Sequence, residues 1–291
     1  MPKILEKVKV IPSGKALGAE IQGVDLRRVS DDAFQQIEKA WNDHLVIVFR
    51  KQSLTDEEFM AFGKRFGDLE IPYVSSVGQP WIPETPEMLV VSNVKEDGKP
   101  IGALGDGEAV WHSDMTYREE VPIAALLYSL EVPEKGGDTS FSNLYLACKN
   151  LPVELKSKIK DSMFVHDNAH NSAGELRIGY SEVTNPKETP GPHHPVICRH
   201  PKSGKEYLLL GRRPYEYVVG FELEESEQIL DEIWAHSTQP KFTWTHTWQP
   251  GDVLVWDNRC TLHRRDAFDP TTRRVMHRLQ IKGERPIPAV A

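Results

Sequence analysis

The sequence predicts a mainly β fold with a few flanking helices, a sandwich or barrel rather than an alternating βαβ sheet. Three observations lead there. Strand-like runs dominate the later chain, at 89–94, 124–132, 139–142, 195–199, 207–210, 242–248, 252–256 and 274–282. Helical patterns interrupt them only at 144–160 and 222–236. Neither G-x-G-x-x-G nor G-x-x-x-x-G-K follows a strand, so dinucleotide and phosphate-loop readings have no support.

Ahead of these runs, residues 8–11 and 19–21 read as short strands. Ser30-Asp31-Asp32 caps a helix reaching about His44, with Phe34, Ile37 and Trp41 on one face. Leu45-Val46-Ile47-Val48-Phe49 is a continuous apolar run of strand length. Thr55-Asp56-Glu57-Glu58 is a capping box before a second helix carrying Phe59, Phe62 and Phe66. Stretches 79–87, 95–108 and 185–194 are rich in Pro, Gly or charge and read as long loops inside a single domain, 1–291.

Composition narrows the function classes. Lys and Arg number 35 against 43 Asp and Glu, a net charge of −8, which argues against nucleic acid as a partner. Seven Trp, ten Phe and eight Tyr supply a core that needs no disulfide staples. The longest apolar runs, 45–49 and 124–127, fall far short of the roughly 20 residues of a membrane span. The first seven residues carry no apolar signal core. Cys148, Cys198 and Cys260 are odd in number and scattered, which speaks against a disulfide framework and a Cys-based zinc site. The expected location is a reducing cytoplasm.

Chemistry concentrates in Trp111-His112-Ser113-Asp114-Met115. On an extended segment, residues i and i+2 point to one side, so His112 and Asp114 can address one point. A carboxylate with an imidazole suits a divalent ion such as Fe(II). The best third ligand is His263, which follows the apolar run 253–256 and a turn-like Asp257-Asn258. Two His and one carboxylate on one face of a metal leave three positions open, the facial triad of non-haem iron oxygenases. A lone His-x-Asp is a weak signal, and a hydrogen-bonded pair at a strand end is its plain alternative.

The last strand adds weight. Alternation over 273–280 puts Arg274, Met276 and Arg278 on one face and Arg273, Val275, His277 and Leu279 on the other. Two guanidiniums on an inward face each require an anion. The planar fork of Arg suits a carboxylate, sulfonate or phosphate. On an exposed face they would be ordinary surface charge.

Taken in order and spacing, these motifs resemble the Fe(II)/2-oxoglutarate-dependent dioxygenases of the taurine dioxygenase and 2,4-dichlorophenoxyacetate dioxygenase (TauD/TfdA) family. The resemblance runs from Leu17-Gly18-Ala19-Glu20-Ile21 and Gly23-Val24-Asp25-Leu26, through Trp111-His112-Ser113-Asp114 and Gly136-Gly137-Asp138-Thr139. It closes on Trp256-Asp257-Asn258-Arg259, His263, Arg274 and Arg278. It implies a double-stranded β-helix, a cupin-like jelly-roll barrel with the metal at its open end. It implies iron on His112, Asp114 and His263, the distal carboxylate of 2-oxoglutarate on Thr139 and Arg274, and an anionic substrate group on Arg278. Relatives of this kind are commonly dimers or tetramers. Glu108 stands where the taurine enzymes carry Asn, and 67–73 lacks the histidines those enzymes have there, so taurine itself is not implied.

Other residues invite weaker readings. Met115 and Tyr73 can line a substrate pocket or simply pack, and Glu108 stands four residues before His112 at the same pocket. Trp256 reads as core, His193-His194 as a solvated loop pair rather than a second metal site, and His246 as an outward structural residue. Loop 166–172 is rich in hydrogen-bonding groups suited to substrate selection. Arg212 and Arg213 add positive charge at the mouth or are surface residues.

The expected activity couples oxidative decarboxylation of 2-oxoglutarate to succinate and CO2, with O2, to hydroxylation of a small anionic organic compound. Two rivals use the same ligands: a zinc-dependent hydrolase or lyase, and a non-catalytic jelly-roll that binds a small acid. Thr139 and Arg274 discriminate, because neither rival needs a dicarboxylate site.

Overall fold

The computed structural model describes residues 7–72, 80–105, 109–170, 176–177 and 179–289. Two sheets carry the architecture. The larger has eight strands in the order Lys9–Pro12, Ala19–Gln22, Val46–Phe49, Val253–Asp257, Ala124–Glu131, Val275–Ile281, Leu89–Ser92 and Ala103–Leu104. The smaller has four, in the order Thr243–His246, Thr139–Asn143, Thr261–Arg265 and Ala109–His112. Neighbours within the smaller sheet are antiparallel.

The central strands of the larger sheet are apolar at successive positions because both faces are covered. Val46, Val48, Ala125, Leu127, Leu254, Trp256 and Met276 enter one core together with Phe141 and Leu262 of the smaller sheet. The alternate residues Ile47, Phe49, Leu126, Val253, Val255, Leu279 and Ile281 enter a second core. There they meet Phe34, Ile37 and Trp41 of the helix Asp31–His44 and Phe59 and Phe62 of the helix Asp56–Gly63.

Both N-terminal helices start where the caps predict. Ser30 accepts a hydrogen bond from the Ala33 amide. Thr55 and Glu58 complete a reciprocal capping box.

Three expectations are corrected. The helical pattern over 144–160 is two helices, Leu144–Lys149 and Val153–Ile159, because Pro152 cannot continue the first. The run 195–199 is two strands, His193–Pro195 and Ile197–Arg199, which pair in different sheets. Part of the stretch 95–108 is ordered: Lys95–Glu96 pairs with Lys99–Pro100 across Asp97-Gly98, and Ala103–Leu104 extends the large sheet. Asp97 and Gly98 both have positive φ, 49° and 77°, the tight-hairpin geometry that an Asp-Gly pair favours. Among the described residues, no helix is long and apolar enough to cross a membrane.

Candidate metal and cosubstrate site

The smaller sheet brings the predicted triad together. His112 ends the strand Ala109–His112 and pairs directly with His263 of the neighbouring strand. Their rings lie 4.2 Å apart, centroid to centroid. Asp114, two residues on, places Oδ1 3.6 Å from His112 Nε2 and Oδ2 3.7 Å from His263 Nε2. All three residues are buried, and their potential ligand atoms lie within 4.8 Å of one another.

Protonation suits a metal. His112 Nδ1 lies 2.7 Å from the Val110 carbonyl, which can only accept, so Nδ1 donates there and Nε2 is the nitrogen turned toward Asp114. Burial, followed by the nearby His112, brings His263 down to about 3, so its imidazole is neutral at physiological pH. Burial pushes the Asp114 carboxyl up, but Arg278, then His263 and His112, outweigh it and hold the group well below the ordinary carboxylate range. Two imidazoles and an ionised carboxylate form a donor set that fits a divalent ion such as Fe(II). Among the described residues, His263 Nδ1 is buried without a hydrogen bond.

Arg274 lies immediately before the strand Val275–Ile281 and is only 2% exposed. Its side chain runs beside Gly137, where an added Cβ would stand 3.4 Å from Arg274 Nε. Among the described residues no carboxylate pairs with Arg274, and its Nε has no hydrogen-bond partner. Burial, then the like charge of Arg265, brings its guanidinium down to about 9. Two residues beyond Gly137, buried Thr139 accepts a hydrogen bond at Oγ1 from Trp248 Nε1, 2.9 Å away. That contact leaves the Thr139 hydroxyl proton available to an incoming acceptor. Trp248 escapes sequence reading because it looks like one more apolar residue in a strand.

Arg278 faces Asp114, with its terminal nitrogen against Oδ2, and sits 6.0 Å from the centroid of the Trp256 ring. The expected alternation of the strand holds: Met276 enters the inter-sheet core, whereas Leu279 and Ile281 face the helices. Glu70 pairs with Arg118 at 2.9 Å. Met115 is buried and has a φ of 53°, unusual for a non-glycine residue. Tyr73 and Glu108 lie outside the described residues.

The remaining side-chain readings meet mixed outcomes. Trp256 is core, as expected. His194 is buried rather than solvated, and its Nε2 donates toward the carbonyls of Thr116 and Arg118. His246 is also buried rather than outward, with Nε2 3.1 Å from Asp252 Oδ2. In both cases a local hydrogen-bond acceptor compensates the ring, which periodicity alone does not reveal. His166, in the loop singled out for substrate selection, is buried, and among the described residues neither ring nitrogen has a hydrogen-bond partner.

A second buried group, His200, Asp257 and Cys260, went unremarked in the sequence. Its carboxylate is engaged by protein. Asp257 receives Arg259 Nε at 3.0 Å, Arg259 Nη2 at 2.8 Å and His200 Nε2 at 3.0 Å. The group braces a turn.

A two-sheet barrel with a His-x-Asp…His centre defines a class of non-haem oxygenase, and the comparisons place the chain within it. Residues 9–280 match the model of the taurine catabolism dioxygenase TauD, TfdA family, and the chain belongs to that family. Pentalenolactone F synthase of Streptomyces arenae is 33% identical over 94% of this chain and 94% of its own length. The (S)-phenoxypropionate/alpha-ketoglutarate-dioxygenase of Sphingobium herbicidovorans is 30% identical over 94% of this chain and 95% of its own. The solved structure of AAD-2 in complex with Mn(II) and N-oxalylglycine superposes with a TM-score of 0.78 at 26% identity, covering 96% of this chain and 98% of that chain. The fold is accordingly the jelly-roll expected.

Proposed function

We propose that this protein is an Fe(II)- and 2-oxoglutarate-dependent dioxygenase that hydroxylates a small organic anion. The observation that carries the reading is Arg274: a buried guanidinium with no counter-ion among the described residues, in the same barrel as a three-donor metal centre. A desolvated cation of this kind calls for an anionic ligand. A dicarboxylate cosubstrate supplies one; the zinc hydrolase leaves the charge unanswered, and a non-catalytic acid binder has no use for the three-donor centre. The AAD-2 complex, which pairs Mn(II) with N-oxalylglycine, supports the same combination of ligands.

In this reading His112, Asp114 and His263 hold the metal, and Thr139 and Arg274 take the distal carboxylate of 2-oxoglutarate. Iron, 2-oxoglutarate and O2 together supply the oxidising power, releasing succinate and CO2 as the substrate gains a hydroxyl. The protein's own residues bind, orient and exclude water. Arg278 takes the substrate's carboxylate, sulfonate, sulfate or phosphonate, with Met115 as a further substrate contact. If the hydroxylated carbon bears an ether oxygen or similar leaving group, the product falls apart.

The chain acts as one TauD/TfdA-like domain, a reading supported by a single sheet that includes both Lys9–Pro12 and Val275–Ile281. The net charge of −8 supports a small-molecule partner rather than nucleic acid. A homodimer or homotetramer in the cytoplasm completes the proposal. The decisive test is anaerobic: Fe(II) followed by 2-oxoglutarate should produce a weak visible charge-transfer band. Its absence with correctly folded protein sinks the proposal.

A further inference from the structure

We infer that Asn258 is a positioning residue that sets the metal carboxylate by clasping the backbone of Asp114. The inference rests on the metal-site reading above and assigns a role to a residue that does not itself reach the metal. Asn258 is fully buried at the start of the turn that joins the strands Val253–Asp257 and Thr261–Arg265. Its Oδ1 accepts the Asp114 amide at 2.8 Å. Its Nδ2 donates to the Asp114 carbonyl at 2.9 Å and to the Pro122 carbonyl at 3.1 Å. The orientation of the carboxamide is unambiguous, because reversing it would aim a donor at an N–H and an acceptor at two carbonyls.

The same turn grips the preceding residue. Ser113 Oγ donates to the Thr261 carbonyl at 2.8 Å, and Thr261 Oγ1 donates back to the Asp257 carbonyl at 2.7 Å. Two residues after Thr261 comes His263, paired with His112. One short turn therefore holds both arms of the centre: it carries His263 in its own strand and fixes Asp114 across 144 residues of sequence.

Why the peptide at Asp114 needs holding is visible one residue later. Met115 has a φ of 53°, in the left-handed region that a Met rarely adopts. Strained backbone persists only where its surroundings over-determine it. Asn258 engages both backbone polar groups of the residue just before that reversal. Without it, two buried polar groups lose their partners and the Asp114 side chain loses its fixed origin.

Asp257 provides the contrast. Its carboxylate ties Arg259 and His200, and Arg259 reaches Glu284 at 3.2 Å. Those bonds brace the turn and touch no residue of the triad.

The test is titration of the metal-free full chain with Co(II), read by affinity and by the visible ligand-field spectrum, with thermal unfolding of each variant alongside. Wild type should bind one equivalent; failure to bind would sink the metal-site reading itself. Asn258→Ala should weaken Co(II) binding about 10–100-fold, the range for removing a residue that supports a metal ligand, and should alter the spectrum. Asn258→Asp keeps the size and one acceptor but loses both donors and adds negative charge. Positioning predicts weaker binding and an altered spectrum; tighter binding would show that charge alone matters and would overturn the inference. Asp257→Asn should lower the unfolding temperature while the folded protein keeps wild-type Co(II) affinity and spectrum. If Asn258→Ala does not fold, Asn258→Asp carries the test. Wild-type affinity and spectrum in a folded Asn258 variant would remove the assigned role.

Discussion

Arg274 and Arg278 stand four residues apart, one just before the strand Val275–Ile281 and one in its middle, yet they meet opposite surroundings. Arg274 is almost wholly buried beside Gly137, and among the described residues no carboxylate answers it. Arg278 is only partly buried and already faces a carboxylate, that of Asp114. The difference is informative because burying a lone guanidinium is costly, whereas a neighbouring anion offsets part of that cost. Arg274 gives a strong statement about a missing ligand. Arg278 gives a weaker one, since its charge is partly answered within the protein.

The largest expected effect tests the centre that both arginines surround. Asp114→Ala should abolish substrate-dependent succinate formation while circular dichroism shows the fold retained, and His112→Ala and His263→Ala should do the same. Full activity in Asp114→Ala would remove the metal assignment and, with it, the reason for Arg278 to face that carboxylate.

Next in size is Arg274→Ala. Truncating one partner of a buried charge pair costs on the order of 2–5 kcal/mol, so the apparent KM for 2-oxoglutarate should rise by roughly 30-fold or more. Thr139→Val should act in the same direction but less, about tenfold, because it removes one hydrogen bond to a charged group. An unchanged 2-oxoglutarate dependence in Arg274→Ala would show that another residue answers the carboxylate and that the contrast between the arginines has been misassigned.

How much of this was legible beforehand depends on the range of the interaction involved. His112 and Asp114 were readable because strand alternation is local, and the two N-terminal helices because their caps are. The alternation of 274–278 survived into the structure for the same reason, with Met276 in the core and Arg278 at the centre. Asn258 was not readable, since its meaning lies in hydrogen bonds to Asp114 that cross 144 residues. Trp248 was missed because a donor indole looks in sequence like any large apolar residue, yet it sets the direction of the Thr139 hydroxyl. His194 and His246 were misread as solvent-facing because a buried imidazole needs a nearby acceptor, and those acceptors, the carbonyls of Thr116 and Arg118 and the carboxylate of Asp252, come from other turns. Asp97-Gly98 carried a hairpin signal that its charged neighbours disguised as loop.

The smallest expected effect, and the one that sharpens the comparison most, belongs to Arg278. If this guanidinium anchors an anionic substrate, it must serve that anion while remaining near Asp114, which already offers it one partner. The net gain from the substrate's charge is therefore smaller than for Arg274 or Thr139, about 1 kcal/mol, or roughly fivefold in kcat/KM. Arg278→Met retains the aliphatic bulk against Trp256 and deletes the charge. It should weaken turnover of a small organic acid that the wild type hydroxylates, while the substrate-independent decarboxylation of 2-oxoglutarate continues, because Arg274 and the triad are intact. Removing a cation beside Asp114 should also leave metal binding no weaker, which separates loss of a substrate anchor from damage to the centre. Wild type should in turn prefer the acid over its neutral methyl ester, and Arg278→Met should erase most of that preference. Equal turnover of ester and acid by the wild-type protein would mean that Arg278 serves Asp114 alone, and the anionic-substrate assignment would have to be withdrawn.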